Sequence, residues 1–149
     1  MKIEVFSQSE TRATLIEKAV RFYSKYLGIN RTNSTIFVVS RKSMRTKEKR
    51  IGCINKFLEK DYLIRIDNKL PLHRLLSTLA HEMVHAKQMI RGEIKMLKYR
   101  NGRPKHIWHG EEVRLPYNKQ PWELEAYSME VPMVNALMAE VHKNARKSK

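Results

Sequence analysis

Apolar positions near the start of the chain change from a strand-like run to a helical period. Met1 to Phe6 reads as a short strand. Ala13, Ile16, Val20, Tyr23 and Leu27 then recur every three or four residues, which predicts a helix. Ser7 or Ser9 can cap its free amides, Glu10 adds a favourable charge near its start, and Gly28 supplies a residue able to end it. Thr35 to Val39 is β-branched and apolar, the pattern of a buried strand. Ile51 to Leu58 and Tyr62 to Ile66 predict two more strands, joined through Glu59-Lys60-Asp61.

Leu70 to Arg91 predicts a second helix, with Leu72, Leu75, Leu76, Leu79, Met83 and Ile90 along its apolar side. Pro71 suits its first turn and Gly92 its end. Glu93 to Tyr117 is mixed, with Asn101-Gly102 as a hairpin-turn signal. From Gln120 the pattern is helical again; Pro132 is expected to kink or divide it, and Met129, Met133 and Met138 to pack in the core. Lys143 to Lys149 is basic and is expected to fray. No repeat, linker or composition shift breaks the 149 residues, so one domain over 1–149 is expected.

Composition narrows the class. Apolar residues make up 42% of the chain, too many for compositional disorder, and their longest runs are only a few residues, too short to span a membrane. Met1 to Phe6 lacks the long apolar stretch of a secretory signal, so a cytoplasmic location is expected, the host cytoplasm if a phage encodes the chain. The single cysteine, Cys53, excludes an internal disulfide and reads as a buried packing residue. Charge changes the picture most. Thirty Lys and Arg face fifteen Asp and Glu, a formal +15 that draws a protein toward polyanions, nucleic acid first. Arg41 to Arg50 holds six of these cations and one acid, which predicts an exposed turn; Arg45, Lys47, Lys49 and Arg50 in it, with Lys143, Arg146, Lys147 and Lys149, are the expected nonspecific nucleic-acid contacts.

The candidate chemistry lies in His81-Glu82-Met83-Val84-His85. Two histidines four apart on a helix share one face, one turn apart, and can take two corners of a tetrahedral zinc site. Glu82 lies beside them and can take a proton from water polarised by the metal, so it is the candidate general base. A catalytic zinc needs a third protein ligand. The candidates are His106, His109, Glu111, Glu112, Glu123 and Glu125. Glu111 and Glu112 fall in an expected hairpin and look solvated, whereas Pro121 to Tyr127 opens a helix with two acids and the small Ala126, which would allow close packing on the first helix. Tyr117, Tyr127, His106 and His109 are candidate donors to a developing oxyanion. His73 and His142 read as surface residues, and Trp108 and Trp122 as packing residues.

His81-Glu82-Met83-Val84-His85-Ala86 resembles the active helix of SprT-like metallopeptidases, and Pro121-Trp122-Glu123-Leu124-Glu125-Ala126 is similar to a segment of the small, bacteriophage-type members. The resemblance covers roughly residues 70–138. The order of elements also resembles small gluzincins. That resemblance implies an α+β, zincin-like fold of minigluzincin type: an N-terminal helix, a small mostly antiparallel sheet, the motif helix and a following helix that bears the third ligand. By the Glu-x-x-Ala pattern that ligand is Glu123. SprT proper uses a third histidine shortly after the motif; here His106 and His109 lie farther away, and a helix end is the more rigid donor. The implied cofactor is Zn2+, the implied activity hydrolysis of peptide bonds with Glu82 as base, and the implied substrates proteins or peptides near nucleic acid. The other reading is a basic nucleic-acid-binding module with a structural or inactive zinc site.

Overall fold

The structure is a computed structural model that describes residues 1–42, 51–98 and 102–148. Its elements in chain order are β1 (Lys2–Phe6), α1 (Glu10–Tyr26), β2 (Thr35–Arg41), β3 (Gly52–Leu58), β4 (Asp61–Asp67), α2 (Leu72–Ile90), β5 (Ile94–Lys98), β6 (Pro104–Trp108), β7 (Glu111–Val113) and α3 (Pro121–Lys147), with a short 3-10 turn at Tyr117–Lys119 before α3. Arg45, Lys47, Lys49 and Arg50, Asn101 and Lys149 lie outside the described residues.

The fold is α+β, and the described residues form a four-stranded and a three-stranded sheet. The larger sheet is mixed, which corrects the mostly antiparallel expectation for it. Its order is β1-β2-β4-β3; β1/β2 and β2/β4 run parallel, and only β3/β4 is antiparallel. The cause is the path of the chain. Helix α1 carries the chain back before β2, and a return of this kind makes neighbouring strands parallel. The tight Glu59–Lys60 connection then makes β3 and β4 a hairpin, and β4 inserts next to β2. The second sheet, β5-β6-β7, is the antiparallel one.

Alternation decides which face of the larger sheet is buried. Ile36 and Val38, Ile54, and Ile64 and Ile66 point inward and join Ile16, Val20 and Tyr23 of α1 and Leu75, Leu79 and Met83 of α2 in one core. Tyr23 is fully buried and satisfies its hydroxyl on Leu76 O at 3.1 Å, so α1 is tied to α2 as well as packed on it. Ser9 caps α1 by accepting from Arg12 N, and Gly28 follows its end at φ +69°. Leu72 is exposed, at the very start of α2 and outside the apolar stripe expected for it.

Helix α3 packs antiparallel along α2, since Gln88, His85 and His81 meet Trp122, Glu123 and Glu130 in that order. The fully buried Ala126 permits the close approach. Pro132 neither ends nor divides α3. It sits on the exposed side, as does Ser128, whose carbonyl it leaves without a helical donor. The helix continues to Lys147, through the basic segment expected to fray. No helix of the described residues is long and apolar enough to cross a membrane.

Candidate metal centre

His81 and His85 lie in the middle of α2, where the helix is buried on almost every side from Thr78 to Ala86. Their side chains are 10% and 11% exposed, too buried to be solvated surface histidines. The two Nε2 atoms are 3.1 Å apart. Glu123, in the first turn of α3, brings Oε2 to 3.2 Å from His81 Nε2 and Oε1 to 3.3 Å from His85 Nε2. The Glu123 carboxylate thus turns one oxygen to each ring, and the three residues form a triangle with one ligand atom from each within 4.8 Å of the others. With zinc–ligand bonds of about 2.0–2.1 Å, tetrahedral geometry puts neighbouring donors about 3.3 Å apart, close to the 3.1 Å between the two Nε2 atoms and to the 3.2 and 3.3 Å from each ring to the carboxylate oxygen it faces.

The proton inventory points the same way. His81 Nδ1 lies 2.8 Å from Glu130 Oε1, and a carboxylate can only accept. His85 Nδ1 lies 2.8 Å from Gln88 Oε1, while the Gln88 amide nitrogen donates to Trp122 O at 3.0 Å. Each neutral ring therefore donates from Nδ1 and aims the Nε2 lone pair at the other ring and at the Glu123 carboxylate. Converging acceptors repel one another unless a cation or added protons sit among them. The titration shifts express this. Burial works to lower the His81 pKa, but its bond to Glu123, the charge of Glu82 and the bond to Glu130 outweigh it and raise it. Burial works to raise the Glu123 pKa, but bonds from His81, His85 and Tyr117 hold its carboxyl well below the usual range. The residues present fit a zinc ion.

The other candidates stand elsewhere. Glu125 turns to Lys87, which also holds Glu93 at 3.2 Å, and so is engaged on another side of α3. His109 and Gly110 form the two-residue turn between the paired Trp108 and Glu111, both at positive φ, as the favoured hairpin turn requires. His109 is exposed there and lines no part of the cleft described below. Glu111 and Glu112 lie exposed in β7, with Glu112 against Lys105 and Arg114. His106 stacks on Trp122, ring centroids 4.9 Å apart, and faces the cleft without joining the ligand triangle. His73 and His142 are exposed. Among the described residues, His81, His85 and Glu123 are the group placed to hold a metal ion.

The triangle opens into a cleft of about 890 Å³. Glu82, 6% exposed, lines it beside the histidines. So do Gly52 to Asn55 of β3, Ile94 and Met96 of β5, and Trp122. Cys53 is half-buried on this wall rather than packed in the core. Gly52 is needed where β3 crosses α2: a Cβ there would meet Thr78 Cγ2 at 2.5 Å and stand 3.4 Å from Glu82 Oε1. Tyr117 donates to Glu123 Oε2 at 2.9 Å and lies 3.0 Å from the Tyr127 hydroxyl, whose ring packs edge-on to His81. Burial of its hydroxyl end and the bonds to Tyr127 and Glu123 raise the Tyr117 pKa, so the phenol keeps its proton. Three residues of the site, Gln88, Glu130 and Gly52, are absent from the candidates that the sequence suggests. For two of them a signal is present. Gln88 extends the face of His81 and His85 at spacing 4 then 3, and Glu130 repeats the face of Glu123 seven residues on.

Comparison with protein-family models, with curated proteins and with solved structures returns no match.

Proposed function

We infer that the protein is a zinc-dependent peptidase whose metal is held by His81, His85 and Glu123. The observation that carries this reading is the convergence of two imidazole Nε2 atoms and one carboxylate at the wall of a cleft. A structural zinc is normally closed by four protein ligands, whereas three ligands with an open position suit catalysis. When bound, zinc acts as a Lewis acid that polarises a carbonyl and makes water acidic near neutral pH.

The chain's own groups supply the rest. Glu82 accepts a proton from water in the cleft and passes it to the leaving amine. Tyr117 and Tyr127 line the cleft; their hydroxyl protons go to Glu123 and to the Tyr117 oxygen here, and would serve an oxyanion on the carbonyl by turning from those partners. Peptide is favoured over other hydrolysable substrates by β3. Among the described residues it is the outer strand of the larger sheet, and its residues Gly52 to Asn55 line the cleft, so an extended polypeptide can run alongside it beside the metal. The resemblance of residues 81–86 and 121–126 to SprT-like peptidases supports the same activity.

Hydrolysis of an unstructured protein or a mixed peptide library tests the reading. Cleavage is expected, abolished by a chelator and restored by zinc. A zinc-loaded protein that cleaves nothing would favour the binding-module reading instead.

The charge supports substrates close to nucleic acid. Beyond Leu137 helix α3 is exposed on every side, and Lys143, Arg146 and Lys147 face one acid, Glu140. Binding to nonspecific DNA or RNA at low salt is expected, broad in sequence and steep in salt. For duplex DNA, each phosphate that the protein no longer neutralises reduces the slope of log K against log salt by about 0.9. Changing Lys143, Arg146 and Lys147 together to Gln should flatten that slope by about 2 to 3 without altering zinc content. A titration that finds no binding at low ionic strength would leave the charge as a solubility feature.

A further inference from the structure

Among the described residues of the site, Gln88 is the fully buried side chain that carries both a donor and an acceptor group, at 0% exposure. A glutamine enters such a place only when its amide is satisfied. Both halves are used. The Trp122 carbonyl can only accept, so the atom facing it at 3.0 Å is the amide nitrogen. The amide oxygen then necessarily faces His85 Nδ1, at 2.8 Å, and that ring nitrogen must be the donor. One side chain on α2 thereby sets which nitrogen of His85 carries its proton and ties down the residue next to Glu123 on α3.

We propose that Gln88 is a positioning residue for the metal centre, fixing the His85 tautomer and the reach of Glu123 together. The inference rests on the metal reading for its effect on zinc, but not for its effect on the tautomer. His81 is oriented differently, by Glu130, whose side chain is partly exposed. A carboxylate at position 88 would add a further charge to a centre that already has Glu82, Glu123 and Glu130, in a place with no solvent to stabilise it. The neutral amide orients His85 without that cost. Its hydrogen bond to Trp122 O also needs a donor, which glutamate lacks.

The test compares Gln88→Met, similar in length without a polar end, with the wild type. In metal-free protein at pH 8, nitrogen NMR of the histidine rings should show His85 protonated at Nδ1 in the wild type and redistributed toward Nε2 in Gln88→Met. Chelator competition should show zinc held about 10–100-fold more weakly by the variant, the usual cost of losing an outer partner of a ligating histidine. Gln88→Glu should restore the Nδ1 proton of His85, since a carboxylate accepts from it as the amide oxygen does. It also serves as the test should Gln88→Met fail to fold. Wild-type tautomer and zinc affinity within twofold in Gln88→Met, or a His85 in Gln88→Glu that is not protonated at Nδ1, would overturn the proposal and reduce Gln88 to core packing. A wild type that binds no zinc but shows the expected tautomer change would support the positioning role and overturn the metal reading.

Discussion

Glu82→Gln should keep the fold and the full zinc content while the hydrolysis rate falls by about 10²–10⁴-fold, the range that proton transfer by a placed side chain contributes. The substitution changes one oxygen to an amide nitrogen and removes the negative charge and, with it, the ability to accept a proton. The Glu82 side chain borders the cleft but is not among the three donors of the triangle, so every group that holds the metal is kept. A neutral amide is also easier to bury than a carboxylate at 6% exposure. Peptide turnover under saturating zinc, measured beside metal content, checks it. Unchanged turnover would move the proton acceptor to another group, and loss of zinc would make Glu82 part of the metal site.

The ligand set gives the second large effect. His81→Ala, His85→Ala and Glu123→Ala each remove one of three donors and should weaken zinc binding by more than the roughly 10–100-fold that an outer partner is worth. Glu125→Ala, two residues from Glu123, should leave zinc content unchanged. Its carboxylate is engaged with Lys87, which keeps Glu93 as a partner when Glu125 is removed. Zinc content of the four variants after dialysis distinguishes them. A protein that loses metal with Glu125→Ala and keeps it with Glu123→Ala would reverse the assignment, and one indifferent to both would need a ligand other than these acids.

The elements with local causes are legible from the chain. Helix α1 lies between its Ser9 cap and Gly28, α2 ends before Gly92 at φ +69°, and the β3–β4 hairpin turns at Glu59–Lys60, as their residue patterns require. The His81 to His85 spacing needs only the helical period to put both rings on one face. Strand direction is not visible in the same way. It depends on where the chain travels between strands, and residue patterns alone leave open that the β1–α1–β2 succession returns the chain to the same end of the sheet. The choice of Glu123 over Glu125 and His109 depends on contacts across more than 35 residues of chain, between α2 and α3 on one side and Lys87 and Glu125 on the other. Gly52 is invisible for a related reason: a missing side chain carries no periodic signal, and its need arises only where β3 crosses Thr78 and Glu82.

Metal content is the most direct measurement of the central claim that three converging donors on α2 and α3 hold a zinc ion. Protein purified without chelator, with affinity resins that carry no metal, is analysed by mass spectrometry for zinc alongside His81→Ala. About one zinc per wild-type chain and little in the variant is the expected result. A wild type without zinc that also fails to take it up on titration, or a His81→Ala variant that retains one ion per chain, would contradict it.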